Sequence, residues 1–316
     1  MNDKGYITGI TILLIIIPLI ILLLLMINVN QEITNTTTNK LESNEITEVT
    51  TDLNNNMEQI TQKTLSETII TVITSKKQVP NSKELLIENL QKNVNDKTIQ
   101  YSINDIKLNC TINDIKPSDN PFKLKIIYTI ISQKSNHENP IINTKETQEI
   151  TITNNEYPII DPLPYLKTDI RYDQEKFIEY DDNLMHYLQE RNIANFEVYF
   201  NSVSPNIIKK CSYQPYTTHI HNNNTTLINC LENKYYHQSS DGACILCRLE
   251  GKATCSHYGI ECFIQPKINN SINNSPTSID HVIFNDSMYN GDKIIFNQEN
   301  NSFLYLDNGH RQKYGY

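Results

Sequence analysis

Seven cysteines carry most of the chemistry this sequence could support: Cys110, Cys211, Cys230, Cys244, Cys247, Cys255 and Cys262. Thiols have three uses. A pair can oxidise to a disulfide, several thiolates can ligate a soft metal ion, and one activated thiolate can attack a carbonyl. Cys211 and Cys230 enclose a polar loop, His219 to Thr226, that has no core of its own. A bridge would hold it closed. Cys244-x2-Cys247, followed by Cys255 and Cys262, has the spacing of a four-thiolate zinc site, with His257 as a spare ligand. Outside a reducing cytoplasm, disulfides are the default use of such a cluster. The leading expectation is therefore three bridges among Cys211, Cys230, Cys244, Cys247, Cys255 and Cys262, with 211–230 the first pair and no cofactor. Zinc is the alternative. Seven is odd, and Cys110, far from the rest inside a strand-like run, is expected to remain a thiol packed as a small apolar residue.

A sharper use of the same residues is catalysis. Cys244 follows Asp241-Gly242, and His281 lies in the strand-like run Asp280-His281-Val282-Ile283-Phe284, with Asp286 or Asp292 beyond it. A nucleophilic cysteine needs an imidazole to stabilise its thiolate and a carboxylate to hold that imidazole. The order Cys244, His281, Asp286 is similar to that of transglutaminase-like peptidases. The resemblance implies a thiol hydrolase directed at peptide cross-links in a cell wall. It stands as the alternative to a protein without catalysis. The pair His219-x-His221 reads as a solvated loop, and Met288 breaks the ligand pattern of a calcium loop between Asp286 and Asp292.

These residues sit at the end of a chain whose beginning is of another kind. From Tyr6 to Gln31 there is no charged residue, and Ile12 to Ile27 is apolar apart from Pro18. With its flanks the run reaches the roughly 20 residues needed to cross a bilayer core, and no small-x-small cleavage site follows it. The expected partner of residues 6–29 is membrane lipid. Lys4 precedes the run and the next basic residue is Lys40, so the short N-terminus is expected in the cytoplasm and the C-terminal part outside the cell. The formal net charge is −9, which repels phosphate backbones and disfavours nucleic acid as a partner. No glycine lies between Gly9 and Gly242, so residues 10–241 contain no glycine-rich loop of the kind that cradles phosphate.

Asp3-Lys4-Gly5-Tyr6, placed directly before the apolar run, resembles the start of archaeal type IV pilin-like proteins. In that family a peptidase cuts after Lys-Gly or Arg-Gly ahead of the hydrophobic helix, which implies processing at Lys4, Gly5 and Tyr6, and pilin-like subunits or a cell-surface polymer as partners. Many pilins carry Glu at the fifth position after the cut, where Ile10 stands here. Asp161-Pro162-Leu163-Pro164-Tyr165 and the region from Cys211 to Tyr316 resemble surface proteins of methanogenic archaea, a likeness that implies no activity.

The intervening elements follow from periodicity. Residues 30–56 are polar and read as a stalk or polar helix. Met57, Ile60, Leu65, Ile69, Val72 and Ile73 then recur at helical spacing, and Pro80 ends the segment. Asn81 followed by Glu84 predicts a capped helix burying Leu85, Leu86, Leu90 and Val94. Phe122, Leu124, Ile126, Tyr128 and Ile130 alternate as one face of a strand, flanked by strand-like runs at Tyr101–Thr111 and Thr147–Thr153. After Pro158, Pro162 and Pro164, residues 183–192 read as a short helix, and Val282–Asn285, Lys293–Phe296 and Phe303–Leu306 as strands. The expected fold is α+β: a transmembrane anchor at 1–29, a helical stem at 30–97, a small antiparallel β unit at 98–165 and a cysteine-rich α+β unit at 166–316. The expected function is structural or adhesive and pilin-like, without catalysis.

Overall fold

A computed structural model of the protein describes residues 4–77, 79–101, 106–134, 141–153, 155–173, 177–191, 199, 201–213, 216, 225–240, 242–264, 267–268, 271–272, 277–284, 292–297, 302–306 and 313–314. The fold is mixed, with helices leading and small, largely antiparallel sheets following. Helix α1 runs unbroken from Lys4 to Ser75, carrying Pro18 within it. Its 72 residues span about 108 Å at the helical rise of about 1.5 Å per residue. Within it, Ile12–Thr34 is apolar and long enough to cross a membrane, and no part of it is buried. Further along, Ile46, Leu53, Met57, Leu65, Ile69, Val72 and Ile73 are buried, so the same helix changes from a bare apolar rod to one wall of a core. Lys76 takes a left-handed φ of 49° and terminates it.

Helix α2, Ser82–Tyr101, returns alongside α1. The Asn81 side chain accepts the Glu84 N–H at 3.2 Å, as the capping pattern requires. Leu86, Leu90 and Val94, four residues apart, are buried on one stripe, and Leu85 is half-buried. Asn89 donates to Thr68 at 2.9 Å and Asn93 to Thr64 at 2.8 Å. The two ladders run in opposite chain directions, which makes α1 and α2 an antiparallel pair.

Both helices pack on a three-stranded antiparallel sheet of β1 (Ile106–Pro117), β2 (Lys123–Lys134) and β3 (Ile142–Thr151), with β2 in the centre. Phe122 and the alternating Leu124, Ile126, Tyr128 and Ile130 are buried. In β1 the buried set is Ile106, Leu108, Cys110 and Ile112, and a bulge between Ile112 and Asp114 resets the phase so that Ile115 is buried next. Gln91 of α2 covers this outer strand, donating to the Cys110 carbonyl and accepting the Ile112 N–H, both at 2.8 Å. Gln62 of α1 donates to the Thr151 carbonyl at 2.7 Å on the far strand. The strand expected from Tyr101 begins later, because α2 continues through Tyr101.

The last third begins with α3 (Pro162–Lys167), capped by Asp161, then β4 (Phe177–Glu179), α4 (Asp181–Glu190) and β5 (Val203–Pro205). It continues through α5 (Thr225–Glu232), β6 (His237–Ser239), α6 (Ile245–Leu249), β7 (Gly259–Glu261) and β8 (Phe263–Ile264). Short strands β9 (Lys267–Ile268), β10 (Ser271–Ile272) and β11 (Thr277–Ser278) precede the hairpin of β12 (Asp292–Asn297) and β13 (Ser302–Leu306). The strand expected at Val282 is instead the end of a π-helical turn, Ile279–Ile283, closed by Phe284 N–H donating to the Ile279 carbonyl at 2.8 Å. That turn swings Asp280 into the interior, where it has buried partners. A continuous hydrophobic cluster includes side chains from α1, α2, the three-stranded sheet and the last third.

Candidate metal centre

The chain around Cys244 is bent back on itself by requirement. Ala243 and Ile260 form an antiparallel bridge, with Ile260 N–H donating to the Ala243 carbonyl at 3.2 Å. A Cβ on Gly242 would lie 2.3 Å from the Ile260 carbonyl oxygen, and one on Gly259 would lie 2.4 Å from the Gly242 backbone. Only glycine fits at either place. Cys244 is the extended N-cap residue of α6, and the two-residue spacing puts Cys247 in the first turn. Glu250 and Lys252 then both donate backbone N–H groups to the Cys247 carbonyl at 3.0 Å, and Gly251 adopts a left-handed φ of 77°. The chain turns there and brings Cys255 and His257 back over the helix start.

Four donor atoms converge as a result: the sulfurs of Cys244, Cys247 and Cys255 and a ring nitrogen of His257, all within 4.8 Å of one another. His257 Nδ1 lies 3.6 Å from Cys244 Sγ and 3.7 Å from Cys247 Sγ. Cys255 Sγ accepts the Cys244 N–H at 3.3 Å. Cys244 and Cys247 are buried, Cys255 is half-buried and His257 is exposed. Hydrogen bonds from Cys244 and Cys247 hold the Cys255 thiol far below the ordinary range. A hydrogen bond with Cys247 lowers the Cys244 thiol, but the bond to Cys255 and burial outweigh it and push that thiol up to about 11. Cys247 is driven up by its bonds to Cys244 and Cys255 and by burial.

Cys262, the fourth ligand of the expected zinc set, joins neither this group nor any other sulfur cluster among the described residues. It is fully buried beside the Arg248 network, where burial raises its thiol well above the ordinary range. The second cluster is Cys211, Cys230 and His237, all buried. The sulfurs of Cys211 and Cys230 are 3.3 Å apart, and His237 Nδ1 meets the Tyr314 hydroxyl at 2.8 Å. Six cysteines thus divide into a trio, a pair and an isolated residue. Cys262 belongs to neither cluster. Cys110 stands alone on the buried face of β1, its thiol pushed up to about 12 by burial.

Among the described side chains, Cys244 meets the imidazole of His257. The backbone of His281 lies in the π-helical turn, while its side chain and the whole of Asp286 fall outside the described residues. Lys4, Gly5 and Tyr6 form the start of α1.

What sequence reasoning missed is Arg248, adjacent to Cys247 and fully buried. Its guanidinium grips Asp161 through Nε at 2.8 Å and through Nη2, and reaches Asp280 through Nη1 at 2.5 Å. Asp161 also accepts the Leu163 N–H at 3.1 Å and the Tyr236 hydroxyl at 2.9 Å, and Asp280 accepts the Cys262 N–H at 2.9 Å. Burial alone would lower the Arg248 pKa, but the two carboxylates reverse that and raise it. The one local signal was Asp161 before Pro162, an N-cap followed by proline at the first helical position. A scan of family models, a search of curated proteins and a search of solved structures each return no match for this chain.

Proposed function

We propose that the chain is a pilin-like, membrane-anchored surface protein whose role is structural or adhesive rather than catalytic. The observation that carries this reading is the continuity of α1. One helix serves first as an exposed apolar rod over Ile12–Thr34 and then, from Ile46 onward, as the spine of a folded head. A spacer between anchor and domain needs no such continuity. A subunit that passes mechanical load from membrane to head does, because one continuous helix carries its backbone hydrogen-bond ladder from anchor to head, lacking the donor at Pro18.

The bare apolar side chains from Ile12 to Val29 need lipid or neighbouring apolar helices around them. Both environments suit a protein drawn from the membrane into a bundle of like helices. Cleavage after Gly5 would leave Tyr6 at the start of that helix. With the head outside the cytoplasm, Cys211 and Cys230 close as a disulfide, for which their 3.3 Å separation needs only a small approach.

Mass spectrometry of the mature chain tests the reading. The expected N-terminal residue is Tyr6, and the expected tryptic map links Cys211 to Cys230. Electron microscopy of material sheared from cells should reveal thin filaments containing the chain. A mature chain that starts at Met1, with no filaments, would leave an ordinary anchored protein and end the pilin reading.

A further inference from the structure

We infer that Cys244, Cys247, Cys255 and His257 bind a single zinc ion in a closed tetrahedral site that fastens the last third of the chain to helix α2. The geometry can be checked against what zinc demands. With Zn–S near 2.3 Å and Zn–N near 2.0 Å, a tetrahedron has sulfur–nitrogen edges of about 3.6 Å and sulfur–sulfur edges of about 3.8 Å. Two of the three sulfur–nitrogen edges, from Cys244 and Cys247 to His257, are 3.6 and 3.7 Å. The remaining donor separations stay within 4.8 Å. Thiolate-rich donor sets with one imidazole select zinc among the common divalent ions. Four protein ligands leave no position for water or substrate, so the site is structural.

Oxidation does not use these residues as well. Three thiols can form one disulfide and must leave the third sulfur over, whereas a metal engages all three together with the imidazole. Cys262 lies outside this group, fully buried beside the Arg248 network. The contrast with Cys211 and Cys230 supports the division. Their sulfurs are 3.3 Å apart, shorter than the about 3.8 Å edge between two zinc-bound thiolates and suited to closing a bond. The surroundings of the four-donor site are also built for it. The Cys244 N–H supports Cys255 Sγ, and the glycine pair at 242 and 259 lets the two halves of the clasp touch backbone to backbone.

The consequence for the fold lies in the turn that the metal would pin. Glu250 Oε1 accepts both the backbone N–H and the hydroxyl of Ser82, each at 2.9 Å, at the first residue of α2. Arg248, one residue after Cys247, holds Asp161 and Asp280. A fixed α6 therefore ties the helix pair to the rest of the head.

The experiment uses the full chain, purified in detergent without chelator after growth in zinc-containing medium. Elemental analysis should return one zinc per chain, and X-ray absorption at the zinc edge should fit three sulfur ligands and one nitrogen. Cys255→Ser or His257→Ala should weaken zinc retention by more than the roughly 10–100-fold that loss of an outer-shell partner costs. Cys262→Ala should retain the metal. Should the ligand variants fail to fold, the unaltered chain still decides. Stripping zinc with a chelator should speed proteolysis between Gly242 and Tyr258, and restoring it should reverse the effect. Absence of stoichiometric zinc, iron in its place, or a fit with four sulfurs would each overturn the assignment, the last by returning Cys262 to the site.

Discussion

Arg248 keeps its charge with no exposure to solvent, and two carboxylates with the Ile260 carbonyl at 3.3 Å account for that. The arrangement carries one positive charge against the buried carboxylates of Asp161 and Asp280, and it spans three segments: the α3 cap, α6 and the π-helical turn. Removing the cation while leaving the anions is the costly change. Arg248→Met should destabilise the chain by about 3–5 kcal/mol, read as a shift in the urea midpoint of the detergent-solubilised protein. Adding Asp161→Asn and Asp280→Asn should recover a large part of that loss, since neutral amides avoid the buried charge. No recovery would mean that Arg248 acts through packing alone. The same residues mark where sequence reading ran out. Cysteine spacing grouped Cys244, Cys247, Cys255 and Cys262 as a zinc alternative, because a two-residue gap at a helix start sets sulfur positions locally. Choosing His257 over Cys262 required the path of the chain through Gly251 and the bridge between Ala243 and Ile260. Those contacts are not written in any spacing.

At the scale of elements, the start of α2 is held against the bulge of β1 by charge as well as by packing. Lys83 Nζ lies 2.5 Å from Asp114 Oδ1, and Lys116 lies 3.2 Å from the other oxygen. The hydrogen bond from Lys83, joined by Lys116, holds the Asp114 carboxyl below the usual carboxylate range against a small opposing effect of burial. A carboxylate depressed in the folded state adds stability above its unfolded pKa of about 3.9, and that stability disappears as the pH falls through the folded value. The pair is partly exposed, so its worth is about 0.5 kcal/mol after solvent screening. Asp114→Asn should lower the melting temperature at neutral pH and lower it much less at an acid pH below the folded value, where the wild-type carboxyl is protonated. An equal loss at both pH values would assign the effect to the bulge geometry at Ile112 and Asp114 instead. The elements on either side of this contact are the most legible part of the chain. The Asn81 cap, the stripe of Leu86, Leu90 and Val94, and the alternation from Phe122 to Ile130 are each local patterns with one physical solution. The run Val282-Ile283-Phe284 was misread as a strand because its apolar content fits either structure. The buried Asp280 carboxylate, a long-range requirement, is what favours the π turn. Likewise, Tyr101 reads as β-forming by type, but its ring takes up the end of α2, with its hydroxyl hydrogen-bonded to Asp52 of α1.

For the whole molecule, the decisive quantity is where charge lies relative to the one apolar span. The −9 formal charge belongs almost entirely to residues after the span, since Asp3 and Lys4 cancel before it. Translocated segments tolerate acidic residues, whereas lysine close to a span resists crossing. Lys4 lies just ahead of the span, and no other basic residue occurs before Lys40. By the positive-inside rule, that asymmetry leads to the expectation that the first residues face the cytoplasm and the head lies outside. The expectation is open to a direct measurement. Protease added to intact cells should remove an epitope inserted at the C-terminus and spare a tag placed before Asp3. Moving the asymmetry should move the head: Lys4→Glu combined with three lysines inserted after Gln31 should shield the C-terminal epitope in a measurable share of molecules. The 211–230 pair offers a second, independent readout: a non-reducing peptide map should contain the bridge in the wild type, and the share of charge-reversed chains that keeps its head in the cytoplasm should lose it. Full protection of the wild-type C-terminus would place the head in the cytoplasm, where a reducing environment would leave the 211–230 pair unbridged.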